Sequence, residues 1–186
     1  VTIPYKEAIF KYLDEVDTDA ETIGAVNAIK VLKDYRLKGF NTDAYGFENS
    51  LKPLLKGHEK HALILGTGGA SKAVGFVLNK LKINFKFVSR TSINNNTITY
   101  HQLNEQVINQ SHIIINTTPL GTYPNVENLP DIPYEFLIED HILYDLIYNP
   151  AVTSFLQKGI EKGCVVKNGE EMLKLQADRS WEIWNS

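Results

Sequence analysis

The sequence has very little cysteine, little net charge and no long hydrophobic run. Its single cysteine, Cys164, excludes an internal disulfide and lies in an apolar stretch typical of a buried strand. The net charge of −3 gives no electrostatic reason to expect a nucleic acid or an anionic membrane as partner. No apolar run approaches the roughly 18 residues of a membrane-spanning helix. Together these features favour a reducing, cytoplasmic setting.

Metal-ligand spacings and targeting segments are also lacking. The five histidines show neither an H-x-x-x-H pattern nor a Cys/His pattern, so we expect no metal site. The first residues have the composition of neither a signal peptide nor a transit peptide. The sequence begins abruptly at Val1 without an initiator methionine, and we expect further residues upstream. Composition does not distinguish a monomer from a homodimer.

An apolar run leads directly into a glycine-rich turn at the centre of the chain. Gly66 allows a tight turn, Gly68 lets a phosphate approach the backbone, and Ser71 is small enough for close packing of helix and strand. The helix that follows, about residues 70–81, would direct its first N–H groups at a pyrophosphate. The pattern G-x-G-x-x-S predicts a dinucleotide-binding turn, although an ordinary strand-to-helix turn can carry the same glycines. The turn consists of Gly66, Thr67, Gly68, Gly69, Ala70 and Ser71.

A second apolar strand, Phe85–Val88, follows that helix and leads into Ser89, Arg90 and Thr91. An NAD-binding unit usually carries an acidic residue here for the ribose 2′-hydroxyl, and this sequence has none. Arg90 can pair with a 2′-phosphate, to which the neighbouring hydroxyls can donate, so NADP is the predicted cofactor. The alternative is that Arg90 is only a solvated charge. The missing acid also argues against a methyltransferase.

Strands and helices alternate from Leu63 to Val166, which predicts an α/β fold with a Rossmann-like parallel sheet and helices on both faces. Before this unit, the pattern predicts a helix over 5–13, an acidic turn over 14–22 and a hairpin that turns near residues 33–34. A helix capped by Asn41 or Thr42 follows. Another helix is predicted over about 170–184.

Two residues outside the predicted sheet could move a proton. They are Lys6 and Asp43; a free lysine side chain has a pKa of about 10.4 and a free aspartate about 3.9, and neither value suits proton transfer near pH 7. Held together in a partly desolvated cleft, they would form a coupled pair that hydrogen-bonds a reacting hydroxyl. From the residues alone, the simpler interpretation is that Lys6 is a solvated helix lysine and Asp43 a first-turn residue. Asn27 could be only a turn residue.

The sequence resembles the shikimate dehydrogenase family in eight segments spread over the chain in the family's order. They are V-T-I-P-Y-K (1–6), G-A-V-N (24–27), G-F-N-T-D-A-Y-G-F (39–47), G-T-G-G-A-S (66–71), S-R-T (89–91), N-T-T-P-L-G (116–121), Y-N-P (148–150) and N-G-x-x-M-L-x-x-Q-A (168–177). The resemblance implies NADPH-dependent reduction of 3-dehydroshikimate to shikimate, in aromatic amino-acid biosynthesis. It also implies a small-molecule substrate as the partner.

The resemblance implies a division of the chain and a role for each matching residue. Residues 1–56 would be part of an N-terminal α/β substrate domain, 57–167 an NADP-binding Rossmann-like domain, and 168–186 a helix that returns to the first domain. Lys6 would be the acid/base lysine and Asp43 its partner. The substrate would be held by Thr2, Asn27, Tyr148 and Gln176. The cofactor would be held by the turn Gly66–Ser71 and by Ser89, Arg90, Thr91, Leu146 and Gly169.

The sequence departs from the family pattern in three places. The Ser-x-Ser segment that grips the substrate carboxylate in the family would lie upstream of Val1. Ser89 stands where the family often has asparagine, and a following lysine is replaced by asparagine, which leaves room for some use of NAD. Glu170 and Glu171 stand where many members carry apolar or small residues. The alternatives are a quinate/shikimate dehydrogenase that uses NAD, and a nucleotide-binding paralogue without catalysis.

Overall fold

The computed structural model describes residues 1–2, 4–91 and 94–186. Within them the strands are β1 (Glu15–Val16), β2 (Ala28–Val31), β3 (Leu37–Phe40), β4 (His61–Leu65), β5 (Asn84–Ser89), β6 (Thr97–Thr99), β7 (Ile113–Asn116), β8 (Ile142–Asp145) and β9 (Val165–Lys167). The α-helices are α1 (Thr18–Ile23), α2 (Thr42–Leu51), α3 (Gly69–Lys80), α4 (Glu105–Gln110), α5 (Ser154–Glu161) and α6 (Glu170–Asn185).

The larger sheet has six parallel strands in the order β6-β5-β4-β7-β8-β9. The chain winds outward from β4 in one direction and from β7 in the other, so the point of reversal lies between these two strands. Leu65 of β4 is level with Asn116 of β7, which is level with Asp145 of β8. In such sheets ligands bind in the crevice outside the carboxyl ends of the strands at this point. The predicted α/β, Rossmann-like fold is confirmed.

Side chains of the six-stranded sheet alternate between two apolar layers, because successive strand residues point to opposite faces. Ile64, Ile115 and Tyr144 pack in the layer that includes residues of α2 and α3. Leu63, Ile114 and Leu143 pack in the layer that includes residues of α4 and α5. The central strands are buried on both faces, which explains why they read as continuous apolar runs.

The smaller sheet, in the order β1-β3-β2, positions the start of α2. β2 and β3 form the predicted antiparallel hairpin, and β1 runs parallel to β3. Directly after β3, Asn41 caps α2 by accepting a hydrogen bond from the Ala44 N–H over 3.1 Å. α6 packs along α2 so closely that a Cβ on Gly46 would lie 2.5 Å from the Met172 carbonyl oxygen.

Two local predictions are wrong. The segment predicted as a helix over 5–13 contains a 3-10 helix, Ala8–Tyr12, and none of its residues is buried. The segment predicted as an acidic turn contains β1 and α1. Asp17 caps α1 by accepting from the Asp19 N–H over 3.2 Å, and Gly24 ends it in the left-handed conformation at φ 71°. Acidic residues therefore mark a helix N-terminus here, where they complement the helix dipole.

Among the helices in the described ranges, none combines the length and the apolar character needed to cross a membrane.

Candidate active site

Lys6 and Asp43 meet in the crevice although they lie far apart in the sequence. Lys6 lies in the turn that begins at Pro4, and Asp43 lies in the first turn of α2. Lys6 Nζ donates to Asp43 Oδ2 over 2.5 Å, and the two side chains are only 15% and 11% exposed. Charge-assisted hydrogen bonds of this kind are short and stronger than neutral ones, and partial burial reduces screening by solvent. The structure therefore forms the predicted pair.

Asn27 fixes the second oxygen of the Asp43 carboxylate. Its Nδ2 donates to Asp43 Oδ1 over 2.8 Å, and its Oδ1 accepts from the Thr42 backbone N–H over 2.7 Å. The first contact orients the carboxylate, and the second ties the same side chain to the N-terminus of α2. Asn27 is therefore more than a turn residue.

Gln176 reaches the same cluster from α6. Its Oε1 lies 3.3 Å from Thr42 Oγ1 and 3.5 Å from Asn27 Nδ2. Ser180 Oγ lies 3.0 Å from Thr42 Oγ1. Neither Thr42 nor Ser180 is among the predicted site residues. A signal for Ser180 is present in the sequence, because residues four apart on a helix share a face and Ser180 follows Gln176 at that spacing.

The two other predicted substrate residues do not contact the acid/base pair directly. Thr2 is exposed, and its carbonyl accepts from the Tyr5 N–H over 2.9 Å. Tyr148 is 52% exposed, beyond the carboxyl end of β8. Among the described hydrogen bonds, none joins either side chain to Lys6 or Asp43.

The glycine turn has the geometry that a dinucleotide requires. Gly66 has φ 108°, and a Cβ there would lie 2.8 Å from Thr117 Oγ1, so both conformation and space demand glycine. Gly68 is the N-cap of α3 without a capping side chain, and a Cβ on it would meet no described atom within 4 Å. Ser71 Oγ donates to the Gly68 carbonyl over 2.6 Å and closes the turn. The uncapped N–H groups and the open space fit a pyrophosphate.

The Lys6–Asp43 pair lies beside this turn. A Cβ added to Gly69 would lie 3.8 Å from Cβ of Lys6, so the lysine stem is close to the first residue of α3. The next residue along, Glu7, forms an ion pair with Lys72 of α3 at 2.8 Å. The segment that carries Lys6 is therefore joined by an ion pair to the helix that would hold a pyrophosphate.

The remaining predicted cofactor residues lie at the same edge of the sheet. Ser89 ends β5, and Arg90 and Thr91 follow it with exposed side chains, next to the glycine turn because β4 and β5 are neighbours. Leu146 follows β8, and a Cβ on Gly169 would overlap its carbonyl oxygen. The structure thus places Ser89, Arg90 and Thr91 on the β5 side of the β4–β7 crevice, and Leu146 and Gly169 on the β8 side.

Glu170 and Glu171, which have no predicted role, form ion pairs in the first turn of α6. Glu170 pairs with Lys174 at 2.7 Å, and Glu171 pairs with Lys167. Two carboxylates at a helix N-terminus complement the helix dipole. Hydrogen bonding and charge from Lys174 hold the pKa of Glu170 below its usual range. Both glutamates are exposed, and these contacts account for their presence.

A buried polar cluster behind the crevice was not predicted. Asp145, which is 0% exposed, accepts from Thr153 Oγ1 over 2.6 Å, from the Ile147 N–H over 3.0 Å and from Asn116 Nδ2 over 3.1 Å. Burial raises the pKa of Asp145 to about 6, although the three hydrogen bonds lower it. The signal in the sequence is a polar residue that ends an apolar strand, in I-I-I-N and again in I-L-Y-D.

The sheet order, the uncapped glycine turn and the adjoining Lys6–Asp43 pair define a nicotinamide-dinucleotide dehydrogenase. Residues 1–29 match the family model of the shikimate dehydrogenase substrate binding domain. A shikimate dehydrogenase (NADP(+)) of Methanococcus aeolicus is 41% identical over 197 residues, which cover 99% of this chain and 70% of the relative. The chain belongs to the shikimate dehydrogenase family.

Solved structures agree with this assignment. Shikimate dehydrogenase of Aquifex aeolicus superposes with a TM-score of 0.88 at 35% identity, over 100% of this chain and 70% of that one. Shikimate 5-dehydrogenase of Thermus thermophilus, solved with NADP(H) and shikimate, superposes with a TM-score of 0.85 at 32% identity, over 98% and 70%.

Proposed function

We propose that the protein catalyses the reversible, NADP-dependent reduction of 3-dehydroshikimate to shikimate, a step in aromatic amino-acid biosynthesis. One observation carries this proposal: the Lys6–Asp43 pair at 2.5 Å lies beside the glycine turn, where a Cβ added to Gly69 would be 3.8 Å from Cβ of Lys6. A dehydrogenase needs a proton-transfer group within reach of the carbon that takes or gives the hydride. The names of the relatives, which are NADP-dependent shikimate dehydrogenases, support the substrate and the cofactor.

The chemistry divides between the cofactor and the pair. When bound, NADPH supplies the hydride that reduces the carbonyl carbon of the substrate. Lys6, as an ammonium group, gives a proton from Nζ to the carbonyl oxygen, and solvent restores that proton afterwards. Asp43 holds the ammonium group in place through Oδ2 and balances its charge. In the reverse direction Lys6 takes the proton of the substrate hydroxyl.

Four residues would bind the hydroxyl and carboxylate groups of the substrate: Thr2, Asn27, Tyr148 and Gln176. Asn27 and Gln176 already lie in the cluster around Asp43, where their amide groups can orient both the carboxylate and a ligand hydroxyl. Thr2 and Tyr148 are exposed near the crevice and offer hydroxyl groups. Hydroxyl and amide groups suit a polyhydroxylated acid because they both donate and accept hydrogen bonds.

The cofactor would lie across the carboxyl ends of the strands. The turn Gly66–Ser71 would hold the pyrophosphate against the N-terminus of α3. Ser89, Arg90 and Thr91 would hold the 2′-phosphate, with Arg90 as the charge-assisted donor. Leu146 and Gly169 would line the nicotinamide end, where the loop after β8 meets the start of α6.

The organisation of the protein is proposed on the same basis. Residues 1–56 would form part of the substrate domain, 57–167 the NADP domain and 168–186 the returning helix; the packing of α6 along α2 supports the last assignment. The sparse cysteine supports a cytoplasmic location, which cell fractionation would test. Sedimentation of the purified protein would distinguish a monomer from a homodimer.

Initial rates of the natural protein with shikimate and with quinate, each with NADP and with NAD, test the proposal. We expect the highest kcat/KM for shikimate with NADP. Faster turnover of quinate with NAD would replace the proposal by the quinate alternative. Tight NADPH binding without turnover of either substrate would replace it by a nucleotide-binding protein without catalysis.

A further inference from the structure

The buried cluster around Asp145 lies at the same edge of the sheet as the proposed site, and the proposed chemistry does not use it. We propose that Asp145 is a positioning residue, which holds the loops after β7 and β8 where they line the nicotinamide end of the crevice. This inference rests on the proposed function, because it assigns the nicotinamide to the loop that begins at Leu146.

On one side Asp145 organises the loop between β8 and α5. Its Oδ1 accepts from the Ile147 N–H over 3.0 Å, so the carboxylate folds the chain back immediately after β8. Its Oδ2 accepts from Thr153 Oγ1 over 2.6 Å, at the far end of the same loop. The two contacts clamp the start and the end of residues 146–153. That loop carries Leu146 and Tyr148, the proposed contacts of nicotinamide and substrate.

On the other side Asp145 organises the loop after β7 through Asn116. Asn116 Nδ2 donates to Asp145 Oδ1 over 3.1 Å and to the Leu120 carbonyl over 3.3 Å. Its Oδ1 accepts from the Thr118 N–H over 3.0 Å and from Thr118 Oγ1 over 2.6 Å. The amide nitrogen of Asn116 faces two acceptors and its amide oxygen faces two donors, so only one orientation of the amide satisfies all four hydrogen bonds. Asp145 therefore fixes residues 117–120 through one intermediate side chain.

The loop after β7 in turn contacts the glycine turn. Thr117 Oγ1 donates to the Leu65 carbonyl over 2.6 Å, at the end of β4. The same hydroxyl oxygen is the atom that a Cβ on Gly66 would meet at 2.8 Å. The hydrogen-bonded cluster thus spans the ends of β4, β7 and β8, and it links the turn proposed for the pyrophosphate to the loop proposed for the nicotinamide.

A carboxylate suits this position better than an amide. All three partners of Asp145 are donors, and both of its oxygens accept hydrogen bonds. An asparagine would direct an N–H₂ group at one of those donors, so the Thr153 hydroxyl would have to rotate and the clamp would weaken. Leaving a buried donor unpaired is unfavourable, and a shift of about 1 Å in a positioning group can lower a rate by about 10²-fold.

The main experiment opens one end of the clamp, the Thr153 contact, without changing a residue of the proposed site. In Thr153→Val the side-chain shape is kept and the hydroxyl is lost, whereas Thr153→Ser keeps the hydroxyl. We expect Thr153→Val and Asp145→Asn each to lower kcat by about 10–100-fold, and Thr153→Ser to stay within about twofold of wild type. Because Thr153 also caps α5, Asn104→Ala serves as the control: it removes the matching cap of α4.

Binding measurements separate positioning from mere folding and do not depend on turnover. NADPH and adenosine 2′,5′-bisphosphate share the 2′-phosphate, but only NADPH has the nicotinamide. We expect Thr153→Val to weaken NADPH by about tenfold and to leave the bisphosphate unchanged, with recovery in Thr153→Ser. The enhancement of NADPH fluorescence on binding should fall in parallel, because it reports the surroundings of the nicotinamide ring.

Three outcomes would overturn the inference. Equal losses for both ligands would mean that Thr153→Val damages the whole domain. Unchanged kcat and NADPH affinity, with a lower melting temperature alone, would reduce Asp145 to a structural residue. A matching loss in Asn104→Ala would assign the effect to the helix cap. If wild type shows no turnover of shikimate, the proposed function fails, and the ratio of the two affinities still decides the role of Asp145.

Discussion

Asn27 donates its side-chain amide to Oδ1 of Asp43 over 2.8 Å and so leaves Oδ2 to Lys6. Each oxygen of the carboxylate therefore has its own partner, and the plane of the carboxylate is fixed. A carboxylate held in this way can keep the Lys6 ammonium group in one place while a substrate binds. Under the proposed function, Asn27 would act on catalysis through Asp43 as well as through any direct contact with substrate.

Lys6→Ala should lower kcat by about 10²–10⁴-fold, the usual contribution of a positioned acid or base. NADP affinity should change little, because only the apolar stem of Lys6 lies near Gly69. Steady-state rates and a binding titration on the same preparation check both statements. A loss of NADP binding equal to the loss of kcat would show that Lys6 mainly supports the nucleotide turn.

Asp43→Asn should also lower kcat severely, since it keeps the side-chain shape and removes the charge that orients Lys6. If the two residues act as one unit, the double variant should be little worse than the poorer single variant. The measurement is kcat for the wild type, both single variants and the double variant. Losses that multiply would mean that Lys6 and Asp43 contribute independently.

Arg90→Ala should weaken NADP far more than NAD. A charge-assisted hydrogen bond to the 2′-phosphate contributes about 1.5–3 kcal/mol, or roughly 10–100-fold in affinity. Lys60→Ala is the matched control, because it removes an exposed cation beside β4 at the opposite edge of the sheet. Dissociation constants for both cofactors test the statement, and equal weakening of NADP and NAD would show that Arg90 does not read the phosphate.

Gly68→Ala and Gly46→Ala should separate cofactor binding from folding. A Cβ on Gly68 meets no described atom within 4 Å, so the variant should keep its melting temperature and lose NADP affinity. A Cβ on Gly46 would lie 2.5 Å from the Met172 carbonyl, so α6 must shift, at a cost of about 1–3 kcal/mol. Thermal unfolding and NADP titration of both variants check this. If Gly68→Ala lowered stability as much as Gly46→Ala, the result would contradict the assignment of the open space at Gly68 to the cofactor.

The contribution of Asp145 to stability should depend on pH with a definite sign. Burial raises the pKa of Asp145 in the folded state from 3.8 to about 6. Its contribution to the free energy of unfolding is therefore fully present below about pH 4, where the side chain is protonated in both states, and is lost as the pH rises from there through about 6. At about 1.4 kcal/mol per pKa unit, the loss is about 3 kcal/mol. Asp145→Asn removes this titration. The unfolding free energy of the wild type minus that of the variant should therefore fall as the pH rises over this range. If the difference in unfolding free energy stayed constant from pH 4 to 7, it would contradict a raised pKa at Asp145.

Much of the nucleotide half was predictable because its signals are local. An apolar run of strand length, followed by Gly66, Gly68 and Ser71 and a helical pattern, needs only short-range sterics to be interpreted. The absence of an acidic residue after Phe85–Val88 is equally local. These segments fold as predicted because the central strands are buried on both faces, so their apolar character and their location agree.

Local patterns gave wrong predictions where one pattern is compatible with more than one secondary structure. The acidic stretch over 14–22 contains β1 and α1, because Asp17 accepts a backbone hydrogen bond that composition alone does not reveal. The apolar spacing over 5–13 favours a helix, yet the segment buries no residue and forms a 3-10 helix, Ala8–Tyr12. Helix formation in proteins depends largely on packing of an apolar face, and the sequence of the segment does not specify what that face packs against.

The sequence by itself determined the parallel α/β unit and the glycine turn, and its resemblance to a family supplied Lys6 and Asp43 as the proposed acid/base pair. The tertiary structure alone decided that Lys6 Nζ lies 2.5 Å from Asp43, that Lys6 lies beside the glycine turn, and that Asp145 joins the ends of β7 and β8. The physical reason is that charge-assisted and buried hydrogen bonds require positions accurate to a few tenths of an ångström. Such positions depend on the crossing of α2, α3 and α6 and on the register of neighbouring strands, and residues distant in sequence set both.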